Sequence, residues 1–251
     1  MTVWRGQFLS LGQRLGYLPL RVRHPRPKAG QKVVHFLHIG KNAGSQVGLT
    51  ATALGPNHPK VRIVKHGHDV QLRHLPEGVD YFFSVRNPVT RFKSGFYNRK
   101  SKGLPVRLVE WSSHEARAFA AFDHASDLAE ALFEDSAQGR DAWSAMASLR
   151  HAGQHQADWF LQRGAFLDLC PPVHILRAEY FSQDFSDFAR KVDLPADTLN
   201  AGDDTAARVT DYGDIPELSD KAVANLEHWY ARDVAFYAMC NDWINTHPPD
   251  A

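Results

Sequence analysis

The chain has 251 residues, of which 43% are apolar and 23% charged, with a formal net charge of +1. Those proportions fit an ordinary globular protein of one large or two small domains with a substantial core. Two cysteines exclude a disulfide scaffold, and no run approaches the ~20 apolar residues of a membrane span.

Residues 1–32 carry seven Arg and Lys and no acid. Residues 1–22 form either a basic amphipathic helix on an anionic membrane surface or a first helix packed on the domain. "RHPRPKAG" (23–30) reads as a linker. From residue 33 strand and helix signals alternate, which predicts a parallel sheet with helical crossovers. Strands are expected at 33–38, 61–64, 81–85 and 173–176. Helices are expected at 45–54, 69–75, 88–99, 113–122, 126–134, 141–149, 154–162, 179–192 and 218–239. The stretch 104–165 has no strand signal and reads as a helical insertion. The predicted fold is an α/β, three-layer, P-loop-like domain over 33–245.

Three stretches carry chemistry. In "FLHIGKNAGSQVG" (36–48) an apolar strand feeds a small-residue turn and then a helix. Free backbone N–H groups at such a helix start collect an anion. The nucleotide-binding P-loop puts its lysine after the last glycine, whereas here Lys41 precedes Gly44. In "YFFSVRNPVTRFKSGFYN" (81–98), Arg86 follows a buried strand, and Asn87 and Pro88 suit a helix start. Ser94 and Arg91 share a face of that helix, and an arginine with a hydroxyl makes a phosphate clamp. In "VKHGHDV" (64–70), His66 and His68 flank a glycine after a strand, where either can act as general base. No Cys pair or H-E-x-x-H completes a ligand set, so no metal is expected.

Together these stretches resemble the carbohydrate sulfotransferases. "FLHIGKNAGSQV" resembles their 5′-phosphosulfate loop, H-I-P-K-T-G-G-T-S, with Gly40 for the proline and Asn42 for the threonine. "VRNPVTRFKSGFYN" resembles their 3′-phosphate motif, R-x-P-x-x-R-x-x-S. "HGH" resembles the paired histidines of the heparan-sulfate 2-O-sulfotransferase branch, and Tyr230, Asp233 and Tyr237 match a closing-helix Y-x-x-D-x-x-x-Y. The resemblance implies transfer of a sulfuryl group from 3′-phosphoadenosine 5′-phosphosulfate to a hydroxyl of a glycan or glycolipid. It implies that Lys41 stabilises the leaving phosphate while Asn42, Ala43, Gly44, Ser45 and Gln46 hold the 5′-phosphate. Arg86 and Ser94 would hold the 3′-phosphate, and His68 would be the base, with His66 the other candidate. Arg208 and Thr210, in "DDTAARVTDYG", would add phosphate contacts; a solvated loop arginine is the alternative at 208.

Other residues have two readings each. His151, His155 and Trp159 either line an acceptor cleft or belong to the core and surface. One of Trp111, Trp143 and Trp159 suits stacking on a sugar. Glu179 is read as helix-start electrostatics. The competing functions are a P-loop kinase or nucleotidase and a non-catalytic nucleotide- or glycan-binding module. The expected location is the cytoplasm, peripheral to the inner membrane if residues 1–22 bind lipid, with no nucleic-acid partner.

Overall fold

The computed structural model describes residues 22–160, 165–195, 198 and 215–249. Arg208, Thr210 and the basic segment before Val22 lie outside the described residues. The chain divides into two compact units, one built on the described residues of 22–85, 156–198 and 238–249, the other on Arg86–His155 with the described residues 215–237.

The first unit is α/β, with four parallel strands among the described residues: β1 (Lys32–Leu37), β2 (Val61–Lys65), β3 (Tyr81–Val85) and β4 (His174–Arg177). Their order is β2-β1-β3-β4. β1 and β3 are central, and β3 (YFFSV) is buried along its whole length. Such continuous apolar runs are what strands covered on both faces require. One face, with Phe36, Phe82 and Leu176, packs on Val47 of helix α1 (Gly44–Leu54) and on Phe185 and Phe188 of the later helix Phe181–Lys191. On the other face Phe83 meets Phe160 and Phe166 at ring separations of 4.4 and 6.0 Å. β1 leads to β2 on one side while β3 lies on the other, so the order reverses between β1 and β3. At that reversal the loops leaving the strand ends diverge and open a crevice in sheets of this kind.

The second unit is helical: α2 (Pro88–Lys100), α3 (Ser113–Ala121), α4 (Ala125–Ala131), α5 (Ala137–Ser148) and α8 (Asp220–Trp229). Asn87 caps α2, its side chain accepting from the N–H of Val89 and Thr90, with Pro88 in the first turn. Ser112 and Glu115 make a capping box at α3. Phe92, Phe96, Leu128, Met146, Leu226 and Tyr230 form its core. Arg99 donates to both oxygens of Glu115 at 2.6 and 2.9 Å, and this buried pair pulls the Glu115 carboxyl down to about 2.

Several predicted helices take another form. The expected 69–75 helix is one 3-10 turn, Leu72–His74, because Pro76 drives Leu75 into extended backbone (ψ 149°). The expected 154–162 helix is a 3-10 turn at Gln156–Trp159, with residues 161–164 outside the described set. A four-residue helix α6, Phe166–Leu169, precedes β4, and the 179–192 helix runs as a 3-10 turn followed by α7 (Phe181–Lys191). The long tail helix is two, α8 and α9 (Ala231–Thr246). They part at Tyr230, whose buried hydroxyl donates to the Ala152 carbonyl at 2.8 Å. No helix among the described residues is long and apolar enough to cross a membrane.

Candidate functional site

The loop between β1 and α1 is held in a costly shape. Lys41 (φ 70°) and Ala43 (φ 57°) both take left-handed backbone. For residues with a Cβ this costs about 1–2 kcal/mol each, and such strain concentrates at ligand sites. Ala43 is the N-cap of α1 and makes no side-chain cap bond. The N–H of Gln46 turns back to the Ala43 carbonyl at 3.0 Å. The N–H groups of Gly44 and Ser45 stand ahead of the helical ladder, at the positive end of the helix. Half-buried Lys41, buried Gly44 and exposed Ser45 thus belong to one anion-cradle geometry.

Asn42 has a different part from its neighbours. It is fully buried, and its Nδ2 donates to the Ser84 carbonyl at 2.8 Å and to Gln156 Oε1 at 2.7 Å. Ser84 Oγ donates in return to the Asn42 carbonyl. The Asn42 side chain therefore locks the loop to central strand β3, and only its backbone is left for an anion. Ser84 and Gln156 carry no motif, so sequence reasoning missed both.

The two histidines of "HGH" separate onto the two faces of the sheet. His35 alternates with Phe36 along β1, and its Nδ1 lies 2.8 Å from His66 Nε2, the rings within 4° of parallel. His24 Nδ1 lies 3.0 Å from His35 Nε2. Each contact holds one proton, so the tautomers of the three rings must run in one direction. Burial lowers His35 to about 3, helped by His66 and His24, and lowers His66 to about 4. His66 is thus a neutral ring held against buried His35, in a chain that ends at exposed His24.

His68 belongs to the loop side. Its Nδ1 donates to the His38 carbonyl at 2.8 Å, and its ring packs on His38 at 4.0 Å. A carbonyl can only accept, so the neutral ring carries its proton on Nδ1 and Nε2 is the basic nitrogen. His38 in turn leans on the cradle: a Cβ on Gly44 would fall 2.1 Å from His38 Cδ2 and Nε2. Gly44 is glycine because the histidine ring needs that space. His38 was missed in the sequence, although it begins the cradle motif. A Cβ on Gly48 would similarly fall 2.7 Å from Lys65 Nζ, so the lysine ending β2 lies against α1.

Arg86 and Ser94 belong to the second unit. Arg86 follows β3 directly, is half-buried, and its Nε donates to Thr90 Oγ1 at 3.1 Å. Ser94 is buried on α2 with Arg91 one turn before it. The Arg91 guanidinium is buried and gives Nη1–H to the Gln154 carbonyl at 2.9 Å. Arg86 is therefore the more accessible arginine of the motif. His151 sits in a turn with φ 74°, not on a helix with His155. His155 Nδ1 is 3.8 Å from the fully buried Asp233. Trp159 is buried, and Trp111 donates Nε1–H to the Arg99 carbonyl at 2.7 Å, which leaves Trp143 as the exposed one of the three tryptophans. Compared with protein-family models, curated proteins and solved structures, the chain has no match.

Proposed function

We propose that this chain is a sulfotransferase that moves a sulfuryl group from 3′-phosphoadenosine 5′-phosphosulfate to a hydroxyl of a glycan or glycolipid, on a P-loop-like α/β scaffold. The observation that carries the reading is the linkage of cradle and base. His38 packs on Gly44 of the strained loop and accepts the Nδ1–H of His68 through its carbonyl. An anion site and an oriented proton acceptor held by one residue suit transfer from an anionic donor to a hydroxyl.

In this reading His68 Nε2 takes the hydroxyl proton as the oxygen attacks sulfur. The bond from sulfur to the bridging oxygen breaks, and 3′,5′-adenosine bisphosphate leaves. The new charge on its 5′-phosphate is met by Lys41 and by the N–H groups of Gly44 and Ser45, the Gln46 N–H being taken by the Ala43 carbonyl. Donors placed where charge develops stabilise the transition state more than the ground state. Arg86 and Ser94, with Arg208 and Thr210, are the proposed 3′-phosphate ligands. The proposed location is the cytoplasm, peripheral to the inner membrane if the basic N-terminal segment binds lipid.

Thermal stabilisation distinguishes the donors. 3′,5′-Adenosine bisphosphate should raise the melting temperature, while ATP with magnesium should not. The reverse order would favour a kinase or nucleotidase. Lys41→Ala should lower the single-turnover rate about 10² to 10³-fold while donor affinity changes little. An unchanged rate would overturn the assignment.

A further inference from the structure

The helical unit holds two large aromatic rings at its surface, and one of them by force. Phe133, just past α4, is 42% exposed, and Trp143 on α5 is 50% exposed. Their rings meet edge to face, 6.0 Å apart at 89°. Trp229 backs Trp143 at 4.6 Å, and exposed His228 meets Phe133 at 4.9 Å. Phe133 has φ 68°, a left-handed backbone that a bulky residue rarely takes.

The surroundings impose that conformation. Asn225 Nδ2 reaches the carbonyls of Ala129, Glu130 and Leu132 at 2.9, 3.2 and 3.1 Å, fixing the end of α4. Gly139 approaches the Glu134 carbonyl so closely that a Cβ would fall 2.0 Å away. A glycine or asparagine at position 133 would relieve the turn. The chain instead keeps a phenylalanine there, with its ring toward water, and strain of this kind marks a functional surface.

Size and chemistry select the occupant. Half of two aromatic side chains is about 200 Å² of apolar surface, well below the ~800 Å² per partner of a stable protein interface. It matches one or two pyranose rings. A pyranose carries a face of C–H groups that suits the negative face of an aromatic ring, and its rim of hydroxyls needs polar neighbours. His228, exposed Arg140 one turn before Trp143, and Glu134 paired with Lys221 at 2.7 Å supply them. We infer that Phe133 and Trp143 form a sugar-stacking platform for a neutral segment of a glycan. The inference deepens the reading of a glycan acceptor and rests on it for the choice of ligand.

The test titrates the full chain, without sulfate donor, with cellohexaose, maltohexaose and chitohexaose, followed by tryptophan fluorescence and calorimetry. At least one should bind, and Trp143→Ala should weaken it about tenfold. Phe133→Asn should weaken it similarly without lowering the melting temperature, since asparagine accepts the left-handed backbone. Binding that survives both substitutions, or none to any of the three, overturns the platform, as does a dimer that either substitution dissolves. Glycan binding without sulfuryl transfer would keep the platform and remove the proposed reaction. Transfer with unchanged KM in both variants would do the opposite.

Discussion

Lowering the pH from 7 to 5 should remove much of the chain's stability, through three histidines that the fold buries neutral. Burial holds His35 at about 3 and His66 and His174 at about 4, whereas an unfolded histidine titrates near 6.5. The folded pKa lies below the unfolded one, so below pH 6.5 the unfolded chain binds the extra protons. Stability is therefore complete above pH 6.5 and falls until the folded groups protonate, His66 and His174 near 4 and His35 near 3. Each histidine contributes about 1.4 kcal/mol per pH unit, so the three together cost about 6 kcal/mol at pH 5. That is comparable with the ~5–15 kcal/mol total of a typical domain. Glu115, held at about 2, acts in a separate window below its ordinary 4.5. Urea titrations at pH 7, 6 and 5 should show the midpoint falling at each step. His174 is a useful control, because neither of its buried ring nitrogens has a hydrogen-bond partner among the described residues. His174→Leu should flatten the slope by about one third and raise stability at pH 7 by about 1–3 kcal/mol. Equal midpoints at pH 7 and pH 5 would refute the reasoning.

Three further outcomes follow from the site and the core. His68→Ala should lose about 10² to 10⁴ in turnover while His66→Ala loses less; a larger loss in His66→Ala, or wild-type turnover in His68→Ala, would move the base elsewhere. Gly44→Ala would put a Cβ 2.1 Å from the present place of the His38 ring, so it should displace that ring and with it His68, costing about 10²-fold in rate; wild-type turnover would show that the packing is not needed. Arg99→Ala strands a buried Glu115 and should cost about 3–5 kcal/mol, read from denaturant midpoints; a loss below 1 kcal/mol would mean the pair is solvated.

The strands were legible because a buried parallel strand is a continuous apolar run, and β1 to β4 fall within a residue or two of the expected ranges. Helix ends with local causes were legible too, as with Asn87 and Pro88 at α2. Breaks caused at a distance were not. Nothing local parts α8 from α9; Tyr230 does it by sinking into the core toward Ala152. The cradle could be read as strand, turn and helix, but the inward lock of Asn42 depends on Ser84 and Gln156, far away in sequence. The "HGH" pair marked two candidates and left them equivalent. The chain past β2 separates them, giving His66 to His35 on one face and His68 to His38 on the other.

The interleaving of the two units has a consequence for how the chain is made. β3 pairs with β4 across the span 86–173, in the register Phe82↔His174. Closing a loop that long costs on the order of 4 kcal/mol of chain entropy. The helical core meanwhile needs Ala222, Leu226 and Tyr230, and the sheet unit buries Cys240, Trp243 and Ile244. On a ribosome these residues emerge after everything else they pack with. Neither core can close while the chain is growing, and the apolar β3 strand waits unpaired on one side until β4 arrives. Any release of the chain before Leu226 should yield an aggregation-prone fragment instead of one folded unit, because each unit is completed by residues that lie beyond the other in sequence.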